Sequence, residues 1–116
     1  PNTVTVGHLS DTDDLEYVKQ IASYGCYIGL DRLYEKNSAE YITKKTKGIL
    51  ELCRAGYEDQ ILLSHDAQFF NGFEAEPKIC KQPRFSYCFD YILPKLHHSL
   101  SDKLMIINPM RMLTCK

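Results

Sequence analysis

Apolar residues fall into two alternating rhythms along this chain. Short runs at Val4-Thr5-Val6, Cys26-Tyr27-Ile28-Gly29-Leu30 and Ile61-Leu62-Leu63 have the length and composition of buried strands. Longer stretches with helical spacing lie between them. Residues 11–24 place Leu15, Val18, Ile21 and Ala22 on one face, and Asp13 followed three residues later by Glu16 has the form of a capping box. Gly25 then stands where a helix end favours the left-handed conformation, and a strand begins at once. Residues 39–55 repeat the arrangement, carrying Ile42, Ile49, Leu50 and Cys53 and ending at Gly56 before the third strand. The pattern predicts strands near residues 3–7, 26–30 and 61–64. Strands alternating with helices at this interval pair in parallel, as βα units rather than hairpins.

Beyond Asp66 the rhythm is lost. Residues 67–84 hold Phe69, Phe70, Asn71-Gly72, Phe73, Pro77 and Pro83 without any period. A loop this long in a compact domain is usually functional or disordered, and three phenylalanines argue against disorder. It is read as a substrate-facing loop whose Phe69, Phe70 and Phe73 form an apolar wall. A helix is expected over residues 86–96, with Phe85, Phe89, Ile92 and Leu96 spaced for burial. A short terminal helix is expected to open at Asn108-Pro109, asparagine capping and proline in the first turn.

The strand ends carry polar tips: His8, Asp31-Arg32 and Asp66. A metal-binding side chain at the C-terminal end of a parallel strand, twice in one chain, is how a β/α barrel presents ligands to its reactive face. Side-chain alternation would put His8 on the face of Val4 and Val6, and Asp66 on the face of Leu62 and Ser64. Imidazole nitrogen and carboxylate oxygen suit zinc-like ions, which in catalytic sites keep one position open for water. A spacing of 58 residues is weak support by itself, because a lone strand-end histidine is more often a satisfied structural group.

Composition narrows the alternatives. With 44% hydrophobic and 25% charged residues the chain reads as a soluble globular α/β domain, and no run resembles a membrane span. Fourteen basic against 15 acidic residues leave a net charge of −1 and no electrostatic case for nucleic acid. Five cysteines without a Cys-x-x-Cys pair indicate neither a disulfide framework nor a zinc knuckle, so reduced thiols in a cytoplasmic protein are expected. None has a recognisable base partner. His65 reads as a packed group, His97-His98 as a solvated turn, and Tyr24, Tyr27, Tyr41 and Tyr57 as packing at element ends. Length matters most: 116 residues are too few for a closed eightfold barrel of about 250. The whole of residues 1–116 is therefore expected to be the C-terminal part of one barrel domain, whose N-terminal portion is its missing partner.

Four separated motifs agree in order and spacing with one family. Gly7-His8-Leu9-Ser10-Asp11-Thr12-Asp13-Asp14-Leu15, Gly25-Cys26-Tyr27-Ile28-Gly29-Leu30-Asp31-Arg32, Ile61-Leu62-Leu63-Ser64-His65-Asp66 and Asn108-Pro109-Met110-Arg111 resemble the phosphotriesterase family of the amidohydrolase superfamily. The resemblance covers nearly the whole chain but only the last three βα units of a (β/α)8 TIM barrel. It implies a binuclear centre held by a His-x-His, a carboxylated lysine, two further histidines and an aspartate. His8 matches the last of those histidines and Asp66 the aspartate; the other ligands would lie upstream. The metals implied are two zinc ions, with manganese or cobalt as alternatives.

In that family a hydroxide bridging the metals attacks a phosphorus or carbonyl centre. The resemblance gives Asp66 the proton from it and Asp11 the onward transfer. Asp11 has a second reading, an acid stabilised at a helix N-terminus. Gly29-Leu30-Asp31-Arg32 and Ser64-His65-Asp66 look like the lactonase branch, where arginine replaces the histidine of the phosphotriesterases proper. Arg32 stays charged and cannot shuttle protons, so an Asp31–Arg32 salt bridge shaping the mouth is its other reading. The substrates implied are lactones or carboxylic esters, with organophosphate triesters as a further class; a homodimer remains open. The alternative is a truncated, non-catalytic relative that acts as a binding or structural protein. Between Ser101-Asp102 and Asn108 the relatives have about one more helical turn, so the last helix is expected to be shortened or repacked.

Overall fold

Gly25 (φ 81°) and Gly56 (φ 91°) take left-handed backbones, and in the computed structural model each ends a helix and turns the chain into a strand. The structure describes residues 3–33, 38–67 and 85–114. Helix α1 (Leu15–Ser23) precedes strand β2 (Tyr27–Leu30), and α2 (Ala39–Arg54) precedes β3 (Ile61–Leu63) through a short 3-10 turn. At the end of α2 the Gly56 amide donates to Cys53 O and the Tyr57 amide to Leu52 O, at 2.9 and 3.1 Å. This satisfies two of the carbonyls a helix end leaves open.

The cap of α1 differs from the expected one. Asp14, not Asp13, accepts from the Tyr17 amide at 3.0 Å. Asp13 is drawn away by α2, pairing with Lys44 at 2.6 Å and Lys45 at 3.3 Å. Those lysines hold its carboxyl below the ordinary carboxylate range.

Strand β1 (Thr5–Val6) pairs in parallel with β2, Thr5 opposite Tyr27, and β2 pairs in parallel with β3, Ile28 opposite Ile61. The order β1-β2-β3 is that of successive βα units, and the described residues form an open sheet rather than a closed barrel. All four residues of β2 are buried, as a central strand requires. The edge strand β1 is not: Thr5 is exposed, and the neighbouring Val4 is 52% exposed. The core is built by Ile28 and Ile61 from the sheet, Val18, Ala22, Ile49 and Leu52 from the two helices, and Tyr87, Ile92 and Leu104 from the C-terminal segments. In α2 the buried stripe runs through Ile42 and Ile49, as expected, and through Thr46 and Leu52, while Leu50 and Cys53 are half-buried. Gln60 ties the unit together, its side-chain amide donating to Ala22 O and Cys26 O, both at 2.7 Å.

The C-terminal segments depart most from the sequence pattern. Residues 86–96 do not form a regular α-helix: Cys88–Ile92 is a π turn and Leu93–Lys95 a 3-10 turn. Tyr87, Cys88 and Ile92 are buried, whereas Phe85 and Phe89 are 50% and 58% exposed. The terminal helix begins ten residues before Asn108, running through α3 (His98–Asp102), a π turn (Lys103–Ile107) and α4 (Asn108–Thr114). Both π turns stop two residues short of a proline. The residue immediately before that proline, Leu93 or Asn108, donates five residues back, to Cys88 O or Lys103 O. Proline clashes with the carbonyl four residues behind it and offers it no N–H. Widening the preceding turn by one residue lets the terminal helix pass Pro109 without breaking, whereas the segment at Pro94 tightens into its 3-10 turn and ends at Lys95.

Asn108 is therefore not a cap. Its backbone is helical (φ −64°, ψ −48°), its side chain is fully buried, and Nδ2 donates to Glu58 O and Ile61 O, both at 2.8 Å. It fastens the last helix to the start of β3. Nearby, Lys103 pairs with Glu58 and, at 3.0 Å, with Asp59, which Arg111 also reaches at 2.7 Å.

Candidate functional site

Three parallel strands put their C-terminal ends along one edge of the sheet, and the polar tips gather there. His8 lies two residues past β1, Asp31 and Arg32 follow β2, and Asp66 lies three residues past β3. The strands end sooner than the expected residues 7, 30 and 64 at both edges, so side-chain alternation does not aim His8 or Asp66. A different device does. His8 (φ 60°) and Asp66 (φ 49°) are the two non-glycine residues with left-handed backbones among those described. Such a conformation costs about 1–3 kcal/mol and persists where the surroundings over-determine it, most often at functional sites.

The surroundings of His8 can be named. Its amide donates to Asp31 Oδ1 at 2.7 Å, the Leu9 amide to Gly29 O at 3.0 Å, and the Asp11 amide back to His8 O at 3.1 Å. Its ring Nδ1 lies 3.2 Å from the same Asp31 oxygen. A proton on Nδ1 facing this carboxylate leaves Nε2 as the nitrogen with a free lone pair, the usual way a carboxylate fixes a metal-binding imidazole. Two glycines make room for the contact. A Cβ on Gly7 would stand 2.9 Å from Asp31 Oδ2, and one on Gly29 would stand 3.2 Å from the Gly7 Cα.

Arg32 organises the other half. Its Nη1 donates to Asp11 at 2.8 Å, and its Nε lies 3.3 Å from Asp66 Oδ2. The sequence suggested that Asp31 and Arg32 pair with each other; the contacts found run instead from Asp31 to the amide and ring of His8, and the ion pairs from Arg32 to Asp11 and Asp66. The backbone of Arg32 is held as well. Its amide donates to the Ser10 hydroxyl at 2.9 Å, and its carbonyl accepts from the Tyr41 hydroxyl at 3.3 Å. Ser10 is buried, and its own carbonyl accepts from Lys45 at 2.6 Å.

Sequence reasoning missed Ser10, Lys45 and the glycine pair. Gly7 and Gly29, each one or two residues before a polar tip, were the visible signal for the last of these. Phe69, Phe70 and Phe73 lie outside the described residues. His65 accepts from the Ala67 amide and packs edge-on to Phe85 with ring centroids 5.5 Å apart, a packed group as expected. His97 and His98 are exposed, bonded to Ser99 and Asp102. Tyr24 is 65% exposed rather than packed.

For a divalent metal, the His8 imidazole and the Asp66 carboxylate are donors of the right kind. They are too few by themselves, since zinc takes three or four protein ligands. Among the described residues no group of three or more His, Cys, Asp or Glu side chains assembles as a metal site. No described helix is long and apolar enough to cross a membrane.

Comparison with known proteins bears on the same residues. Residues 2–113 match the family model described as Phosphotriesterase family. An aryldialkylphosphatase of Saccharolobus solfataricus is 42% identical over 66 residues, covering 57% of this chain and 21% of its own length. A phosphotriesterase homology protein of Mycobacterium tuberculosis is 26% identical over an alignment covering 93% of this chain and 35% of the relative. The structure superposes on an organophosphorus hydrolase from Deinococcus radiodurans with a TM-score of 0.79 at 21% identity, over 97% of this chain and 38% of that one. A mutant PTE-like lactonase from the same organism gives 0.79, also at 21% identity, over 97% and 39%. The match thus covers about a fifth of the aryldialkylphosphatase and little more than a third of the other relatives.

Proposed function

The chain belongs to the phosphotriesterase family, and from that premise we propose that it supplies the last three βα units of a (β/α)8 barrel in a metal-dependent hydrolase of lactones or carboxylic esters. Organophosphate triesters are a further substrate class. The observation that carries the proposal is the pair of left-handed residues, His8 and Asp66, at one edge of the sheet and bound into one network through Asp31 and Arg32. Two strained residues at the two positions of metal-ligand chemistry are hard to explain by packing. The names of the relatives, aryldialkylphosphatase, organophosphorus hydrolase and PTE-like lactonase, support the hydrolase class. Gly29-Leu30-Asp31-Arg32 favours the lactonase side of it.

In this reading His8 Nε2 and Asp66 hold metal together with donors from the rest of the barrel. A bound divalent ion there polarises the oxygen under attack and lowers the pKa of water. The residues of this chain do the rest. Asp31 holds the His8 ring in one tautomer and orientation. Asp66 accepts the proton of the attacking water, and Asp11, across the guanidinium from it, takes that proton onward. Arg32 stays charged throughout, so its part is to fix the spacing of the two carboxylates and to meet the substrate at the mouth beside Asp31. Phe69, Phe70 and Phe73 would wall the substrate from water.

The second reading is a relative without catalysis, in which His8 and Asp66 hold no metal and the chain serves as a binding or structural protein. The full-length protein, loaded with zinc, manganese or cobalt, decides between the two when assayed on lactones and on organophosphate triesters. The Asp66→Asn variant should keep its fold, because asparagine tolerates the left-handed backbone, and should lose turnover by about two orders of magnitude or more. Undiminished turnover in that variant, or no metal uptake by the parent, refutes the hydrolase reading.

A further inference from the structure

Gly48 stands in the interior of α2, a 16-residue helix, where glycine is the least favourable residue after proline. Neither backbone nor crowding requires it: its φ is ordinary, and a Cβ would meet nothing closer than Leu15 Cδ2, at 3.5 Å. What it borders is a cavity of about 230 Å3 between α1, α2 and the loop after β1, whose floor is Leu15, Val18, Leu30, Ile49 and Leu52. An apolar cavity of about 150 Å3 is enough to bind benzene, so this one accepts a somewhat larger apolar group.

Charge at the mouth selects the head of the ligand. Lys44, Lys45 and Lys47 line it together with Asp13 and Glu51. Asp13 is taken by Lys44 and Lys45, and Glu51 by Lys19 at 2.9 Å, which leaves Lys47 exposed and without an ion pair among the described residues. We propose that this cavity is a binding site for a short unbranched aliphatic carboxylate, its chain on the leucine and valine floor beside Gly48 and its carboxylate at Lys47. The site borders Ser10 and Lys45, which support Arg32 from behind, but is lined by none of His8, Asp31, Arg32 or Asp66, and it does not depend on the hydrolase reading.

Octanoate is the probe, titrated into the full chain while the amide and methyl signals of Leu15, Val18, Gly48 and Leu52 are followed by NMR. Saturable shifts at these residues are expected. Gly48→Leu should fill the space and weaken octanoate binding at least tenfold. Gly48→Ala, which fits without a clash, should weaken it less and raise Tm by roughly 2–5 °C, showing that the parent gives up stability to keep the space open. Lys47→Gln should weaken octanoate roughly 2- to 5-fold and leave 1-octanol unaffected. Shifts that fail to saturate, or full octanoate affinity in Gly48→Leu, overturn the site. Equal binding of octanol and octanoate overturns the carboxylate assignment.

Discussion

Replacing Asn108 separates two accounts of the C-terminal helix. If Asn108 were a cap, alanine there would cost about 1 kcal/mol, and aspartate, as good a cap as asparagine, would cost nothing. The structure makes it a buried clamp whose Nδ2 gives two hydrogen bonds of 2.8 Å, to Glu58 O and Ile61 O. Each is worth about 0.5–1.5 kcal/mol net, and a buried carbonyl left without its donor adds to the loss. Asn108→Ala should therefore cost about 2–4 kcal/mol, against a total of roughly 5–15 for a domain of ordinary stability. In a melt that is a fall of roughly 8–16 °C.

Asn108→Asp is the sharper variant. It keeps the shape but puts a carboxylate oxygen where Nδ2 stood, against two carbonyls with no N–H between them, so it should be at least as damaging as alanine. Its folded-state pKa would be raised, because the neutral carboxyl can donate one hydrogen bond and the anion none. The damage should therefore lessen as pH falls and be complete above the raised value. Urea unfolding of both variants between pH 4 and pH 8 measures this. An Asn108→Asp protein as stable as the parent at pH 7 would refute the clamp.

Asn-Pro at the opening of a helix is the commoner meaning of that dipeptide, and nothing local marks the exception. The wider turn that carries a helix past Pro109 leaves Leu104 in the core and the Asn108 side-chain amide on β3, contacts made with residues far away in sequence. The same reasoning explains Phe85 and Phe89, whose spacing fits an α-helical stripe but whose segment is wound differently before Pro94. By contrast, β2 and β3, the parallel pairing and the two glycine helix ends were legible, because period and a left-handed glycine are local properties. At the candidate site the residue types could be read, but their geometry could not. The left-handed backbone of His8 is held by Asp31 and Gly29, and the Asp66 carboxylate is met by Arg32, residues far from each in sequence.

Acid should act on Asp13 and Asp59, whose carboxyls are held low by Lys44 and Lys45 and by Lys103 and Arg111. A lowered folded-state pKa gives stability that is present above the ordinary carboxylate value and lost below it. The urea midpoint should therefore fall as pH drops under about 4, less steeply in Asp59→Asn, and an unchanged slope in that variant would refute the pairing. Burial lifts the Cys88 thiol to about 11, and its Sγ faces Ser64 O at 3.4 Å. At pH 8 it should resist alkylation until the protein unfolds, and labelling at the rate of a free thiol would show the packing to be wrong. Gly7→Ala tests the geometry of the candidate site. The backbone of Gly7 is not left-handed, so alanine strains nothing locally, but its Cβ would stand 2.9 Å from Asp31 Oδ2. No such contact survives, and the Asp31 carboxylate is the group the added carbon meets within 4 Å, so it is the group that must give. The carboxylate must turn away, and with it goes the acceptor for both the His8 amide and its Nδ1. Losing bonds to a charged acceptor at a partly exposed site should cost about 1–2 kcal/mol. The His8 ring, freed from Asp31, should then populate both tautomers, visible in its two ring 15N shifts. If those shifts match the parent's, Asp31 does not orient His8, and the strain at His8 has some other cause.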